Sequence, residues 1–109
     1  MQKSEKMLLV VFDDDKTFSL PAEYLRVESP SAEVQGHGPG QKILVSGRRH
    51  VGIANVEAVG NYAIRIDFDD LHDTGIFSWS YLYLLGSEQS VRWKTYAEAI
   101  EAAGLSRDP

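Results

Sequence analysis

Cysteine is absent from this 109-residue chain. That excludes disulfides, thiolate metal sites, iron–sulfur ligation through the chain's own sulfur and cysteine nucleophiles. Basic charge is also scarce: 11 Lys and Arg stand against 16 Asp and Glu, a formal charge of −5 with pI ≈ 5.1. Wrapping nucleic acid needs a net basic face to neutralise phosphates, so a nucleic-acid partner is not expected. Long apolar runs are missing as well. The longest early one, Met7-Leu8-Leu9-Val10-Val11-Phe12, is too short for a bilayer or a signal-peptide core. No membrane association is expected, and the cytoplasm is the default compartment. There is no Gly-x-Ser-x-Gly element, and the three histidines are scattered, so no nucleophilic triad is signalled.

What remains is an ordinary globular composition, 43% hydrophobic and 25% charged. A chain of this length accommodates one core and buries roughly 60–70% of its unfolded surface. A single domain over residues 1–109 is expected, with its core between about 7 and 104.

Residues 1–6 are polar and read as a frayed end. The apolar run at 7–12 reads as a strand, Asp13-Asp14-Asp15 as a solvated hairpin turn and residues 16–20 as the return strand. Pro21 suits the first position of a short helix through Arg26, which Pro30 terminates. Residues 35–40, with three glycines and a proline, form a loop, and Ile43-Leu44-Val45 a short strand. A strand over 51–59 turns at Gly60-Asn61 into the clearest strand of the chain. There Tyr62, Ile64, Ile66 and Phe68 alternate with Ala63, Arg65 and Asp67. Ser78 caps a helix from Trp79 to Leu85, with Gly86 as its left-handed stop. Thr95 and Glu98 form a capping box for a last helix, with Tyr96, Ile100 and Ala103 as its buried stripe and Gly104 as its end. Without βαβ alternation, the expected fold is α+β: two layers, a mostly antiparallel sheet of about five strands and short helices packed on one face.

The densest polar constellation is Asp67, Asp69, Asp70, His72 and Asp73, at the end of that best strand. Carboxylates and an imidazole at a strand end can ligate a divalent cation or fix a base in one tautomer. The spacing matches neither His-Glu-x-x-His nor a calcium loop. The competing local reading has Asp70 or Asp73 capping a turn and His72 bonding a backbone carbonyl. Arg48 and Arg49 are the candidate anion site, against the alternative of a solvated edge that discourages sheet pairing. The glycines at 36–40 lack the lysine and hydroxyl of a phosphate loop. Phe77, Trp79, Tyr81 and Tyr83 are two apart and cannot share one helical face. They and Trp93 are better read as core.

Three blocks carry a resemblance. They are Leu25-Arg26-Val27-Glu28-Ser29-Pro30-Ser31-Ala32-Glu33-Val34, then Val59-Gly60-Asn61-Tyr62-Ala63, then residues 68–82 around Asp69-Asp70-Leu71-His72-Asp73-Thr74-Gly75 and Trp79. Together they resemble the gamma-butyrobetaine hydroxylase-like N-terminal domain, a family that also occurs as stand-alone bacterial proteins. The resemblance covers about residues 7–86. In the carnitine-synthesis hydroxylases this domain precedes an iron/2-oxoglutarate oxygenase domain and binds a structural zinc through three cysteines and a histidine. The oxygenase domain has no counterpart in this sequence, so the resemblance implies no hydroxylase activity. The cysteine positions fall on Ser29, Ser31 and Val34, and the zinc histidine on His72. Three of the four ligands are replaced, and one imidazole does not hold zinc.

A related module is appended to plastid P-loop ATPases that carry iron–sulfur clusters. The resemblance therefore implies a non-catalytic binding or accessory module linked to iron–sulfur or metal metabolism, with an iron–sulfur or other metalloprotein as partner. The alternative is weak binding of iron or zinc by His72 with Asp69, Asp70 or Asp73. Nothing in the sequence selects an oligomeric state.

Overall fold

The computed structural model describes residues 2–4, 6–30, 47–69 and 75–108. The strand expected at 43–45, the glycine loop at 35–40 and three candidate ligands, Asp70, His72 and Asp73, lie outside the described residues.

The N-terminal apolar run forms the middle of a three-stranded antiparallel sheet: β1 (Gln2–Lys3), β2 (Met7–Val11) and β3 (Thr17–Pro21). The end expected to fray thus supplies a strand, Gln2 and Lys3 pairing with Leu9 and Leu8. Alternation along β2 sends Leu8 and Val10 into the core. The triple aspartate makes the β2–β3 turn as expected. Asp15 adopts φ 65°, a conformation Asp tolerates through local bonding. Asp14 fixes the turn by accepting the Lys16 N–H at 3.1 Å.

Pro21 ends β3 and sits at the N-cap of α1 (Ala22–Val27), one position earlier than expected, with φ −62° and ψ 146°. Its extended ψ matches a strand end, and its ring leaves the helix from Ala22 undisturbed. Every residue of α1 is buried.

The second sheet is β4 (Ile53–Val59), β5 (Ala63–Phe68) and β6 (Gly75–Ser78), antiparallel with β5 in the centre. The α+β class and antiparallel pairing hold, with the strands distributed over two sheets. Ile64, Ile66 and Phe68 are buried as the alternation predicts. Tyr62 is 61% exposed, because the turn takes in Tyr62 as well as Gly60 (φ +56°) and Asn61, and Val59 pairs directly with Ala63. A register shift between Ile53 and Asn55 gives β4 two residues against one step of β5. β6, four residues long and running directly into the helix that follows, has no apolar–polar alternation in its sequence to mark it as a strand.

Ser78 caps α2 (Trp79–Ser87) as expected, accepting the Tyr81 N–H at 3.1 Å. Gly86 is not its stop. It lies within the helix, and its lack of a side chain serves a close approach: a Cβ there would fall 2.3 Å from Phe18 Cγ. The last helix, α3 (Gln89–Ala102), begins six residues before Thr95, so the Thr95–Glu98 spacing caps nothing. Glu88 joins the two helices, and its carboxylate is held by Arg92 at 2.8 Å. Tyr96 and Ile100 are buried as expected. Ala103 lies beyond the helix and is exposed, and Gly104 (φ +69°) ends the turn.

One core joins both sheets through α2, with Leu8, Leu20, Leu25, Ile66, Phe77 and Leu82 all fully buried. Each such side chain contributes about 1.5–3 kcal/mol relative to exposure. A satellite cluster of Val27, Tyr96 and Ile100, with Trp93 against it, fastens α3 beside α1. The final segment, 105–108, folds back, and Gly47 and Arg49 donate their N–H groups to the carbonyls of Ser106 and Arg107.

Candidate functional site

The short helix α1 and its C-cap carry two buried carboxylates, Glu23 and Glu28, among buried apolar residues and the buried Arg26 and Ser29. Burying such carboxylates is costly without a partner, and both find an arginine from the C-terminal third. Arg107 reaches Glu23 through Nε at 2.8 Å and Nη2 at 2.7 Å, a two-pronged pair. Arg92 reaches Glu28 at 2.6 Å through Nη1 while its Nε holds Glu88. The Arg107 guanidinium also lies over the Trp93 ring, 5.0 Å from its centroid. Trp93 in turn meets Tyr24 edge-on at 6.3 Å and Tyr96 at 5.2 Å.

Glu23, Arg107, Trp93 and Tyr24 border an open cleft of about 530 Å³ between α1 and the α2–α3 junction. Pro21 and Tyr24 form one side, Gly86, Ser87 and Ser90 the other, and Trp93 with the Glu23–Arg107 pair completes it. The Tyr24 hydroxyl donates to the Leu85 carbonyl at 2.6 Å, and Tyr81 donates to the Glu28 carbonyl at 2.5 Å. Burial, reinforced by the Glu28 charge, pushes the Tyr24 hydroxyl well above its ordinary range and that of Tyr81 up to about 12. Burial and the Glu23 charge likewise raise Tyr96 to about 12. All three stay neutral hydrogen-bonding groups at physiological pH.

The sequence-derived candidates occupy other places. Asp69 follows β5, and its Oδ1 accepts the Gly52 N–H at 2.7 Å while its own N–H donates to the Gly52 carbonyl at 3.0 Å. The side chain thereby completes the pairing of the two chain segments just beyond the bulge. Arg49 pairs with Asp108 at 3.0 Å, and Arg48 Nη1 donates to the Gly47 carbonyl at 3.4 Å. Arg49 borders the 105–108 segment, its N–H donating to the Arg107 carbonyl. Among the described residues no three His, Asp or Glu side chains converge as a metal-ligand set.

The zinc implied by the resemblance does not fit this chain. Ser29, at the first of the cysteine positions, is fully buried, and its hydroxyl packs so close to Gly75 that a Cβ there would lie 2.6 Å from Oγ. The position therefore still adjoins the segment after His72, but a neutral hydroxyl is no substitute for a zinc thiolate.

Sequence reasoning missed Glu23, Glu28, Arg92 and Arg107. Charged residues in a short apolar helix carry no mark of their partners, which lie 64 and 84 positions away. Trp93, expected as core, is partly buried and lines the cleft.

Among the described residues, two antiparallel sheets and three helices, with α1 buried and an aromatic cleft beside it, make up an α+β fold. A family model described as gamma-butyrobetaine hydroxylase-like, N-terminal, matches residues 1–83, and the chain belongs to that family. Two similar solution structures determined by NMR share 46% and 44% identity with it, at TM-scores of 0.84 and 0.81. They cover 99% and 100% of this chain, and the matches span 85% and 81% of theirs. A crystal structure from Acidithiobacillus ferrooxidans, a DUF971-family protein described as having unknown function, is 35% identical at TM-score 0.64, covering 81% of this chain and 92% of its own. No curated protein matches the chain. No helix among the described residues is long and apolar enough to cross a membrane.

Proposed function

We propose that this domain is a non-catalytic binding module that engages a protein partner at the cleft between α1 and the α2–α3 junction. The observation that carries this reading is the make-up of the cleft. Its charged groups, Glu23 and Arg107, are bonded to each other, and its remaining surface is aromatic or neutral polar. Such a surface suits recognition by aromatic contact and neutral hydrogen bonds, with the partly exposed Trp93 ring, packed on the buried Tyr24, as the rigid anchor. The family context extends the proposal to an accessory role in iron–sulfur or metal metabolism, with a metalloprotein as partner.

Affinity capture from native lysate tests this with three chains: the natural one, Ser90→Arg in the cleft and Asn55→Arg on exposed β4. The expected result is a species retained by the natural chain and by Asn55→Arg and lost with Ser90→Arg. No species above background, or one lost only with Asn55→Arg, contradicts the reading.

The second reading is a weak divalent-metal site formed by His72 with Asp69, Asp70 or Asp73. It is favoured by Asp69, which is exposed and uses only Oδ1 in its bond to Gly52. Calorimetry with iron(II), zinc and manganese decides it: heat that disappears in His72→Ala supports the site, and no heat in the natural chain rejects it.

A further inference from the structure

Glu23 is only 7% exposed, yet its ionic partner comes from the last few residues of the chain. Both carboxylate oxygens face the guanidinium of Arg107, and the Trp93 ring covers that guanidinium. A buried carboxylate presented edge-on beside an aromatic face matches a planar, two-pronged cation and fits the single-point charge of an ammonium less well. The cleft remains open with Arg107 seated, so its volume lies beside the guanidinium site.

The segment that delivers Arg107 lies at the surface. Leu105 is 44% exposed, and Ser106 and Asp108 are exposed. Among the described residues, the segment is held by the Glu23 pair, the Arg107–Trp93 contact, Leu105 N–H to the Ile100 carbonyl, the N–H groups of Gly47 and Arg49, and the exposed Arg49–Asp108 pair. It leaves α3 at Gly104, where φ is +69° and no atom lies within 4 Å of a would-be Cβ. There Gly104 N–H bonds the Glu101 carbonyl and Leu105 N–H the Ile100 carbonyl, a left-handed cap that ends the helix and turns the segment back.

We infer that Glu23 and Trp93 form a receptor for an arginine side chain on an extended polypeptide, and that Arg107 is its built-in occupant. Displacement of residues 105–108 opens the receptor to an arginine of a partner protein. The inference rests on the reading of this cleft as a protein-binding site and specifies its chemistry. The N–H groups of Gly47 and Arg49, freed with the segment, then serve the incoming backbone. The net charge of −5 favours a basic segment by long-range attraction.

The test uses the full chain with Arg107→Ala, followed by NMR at the Trp93 indole N–H. The probe is the peptide acetyl-Leu-Ser-Arg-Asp-Pro-amide, alongside its lysine counterpart. The arginine peptide is expected to shift the Trp93 signal saturably in Arg107→Ala. It should bind the natural chain about tenfold more weakly, because a site filled in cis is available only for the fraction of time it is open. The lysine peptide should bind about fivefold more weakly than the arginine peptide. Adding Glu23→Gln to Arg107→Ala should abolish the shift.

A folded Arg107→Ala chain whose Trp93 signal does not move overturns the inference, as does equal binding to both chains. If capture is lost with Ser90→Arg while the arginine peptide fails to bind, the guanidinium receptor is refuted and the binding-module reading stands. Should Arg107→Ala not fold, hydrogen exchange of the Gly47 and Arg49 amides in the natural chain decides. Exchange through local opening, faster than global unfolding, supports a displaceable segment, and exchange only on global unfolding overturns it.

Discussion

Arg92 and Glu28, 64 positions apart in sequence, meet at 2.6 Å and join the end of α1 to α3. The Glu28 carboxylate is only 5% exposed, and the Arg92 side chain 27%. Desolvation by burial works against the Arg92 charge, but its bonds to Glu88 and Glu28 outweigh that and hold its pKa above the ordinary arginine value. Replacing Arg92 with Leu removes the cation from a buried carboxylate and should cost about 2–3 kcal/mol, below the range for fully buried pairs because Arg92 is partly solvated. Urea denaturation checks this. Arg92→Lys should recover part of the loss, since an ammonium reaches one carboxylate but not both.

Gly86 is expected to be intolerant for a steric reason. Gly86→Ala drives a methyl into the Phe18 ring and should destabilise the domain by about 1–3 kcal/mol, although alanine is the better helix former. Combining it with Phe18→Leu should cost less than the sum of the single changes, because both act on one contact. Additive losses would show that the Phe18 ring is not the obstacle.

Asp69 supplies a test that separates architecture from metal binding. Asp69→Ala removes the acceptor of the Gly52 N–H and should cost about 1–2 kcal/mol. Asp69→Asn retains an acceptor oxygen and should cost less. Thermal unfolding in the presence of a chelator measures the structural part alone.

Alkaline pH should weaken the fold. Tyr81 and Tyr96 ionise near 10 when solvated and near 12 in the native state, burial being the main cause in both. A raised native pKa gives stability that is complete below pH 10. It falls as pH rises from 10 to 12, where the unfolded chain has released protons that the native chain retains. The urea midpoint should therefore decline across that window, and Tyr81→Phe should make the decline shallower. A flat profile would contradict the burial of these hydroxyls.

Much of the fold was legible because it rests on local rules. The Asp13-Asp14-Asp15 turn, the alternation of Ile64, Ile66 and Phe68 and the Ser78 cap each follow from adjacent residues. Gly86 misled because a glycine needed for close approach to Phe18 looks the same in sequence as one needed for a left-handed stop. Thr95–Glu98 misled because capping-box spacing also occurs inside helices, where the preceding turn already satisfies the backbone. The cleft was illegible for a different reason. Glu23–Arg107 and Glu28–Arg92 are long-range pairs, and neither member announces burial through periodicity or spacing.

Site-specific photo-crosslinking tests the central claim, that the cleft is the partner-binding surface, most directly. A photoreactive amino acid is placed at Gln89, beside the cleft, or at Asn55, on exposed β4, and cells producing each full chain are irradiated. The account predicts a discrete protein adduct from position 89 that is absent from position 55. No adduct from 89, or the same adduct from both positions, would contradict it.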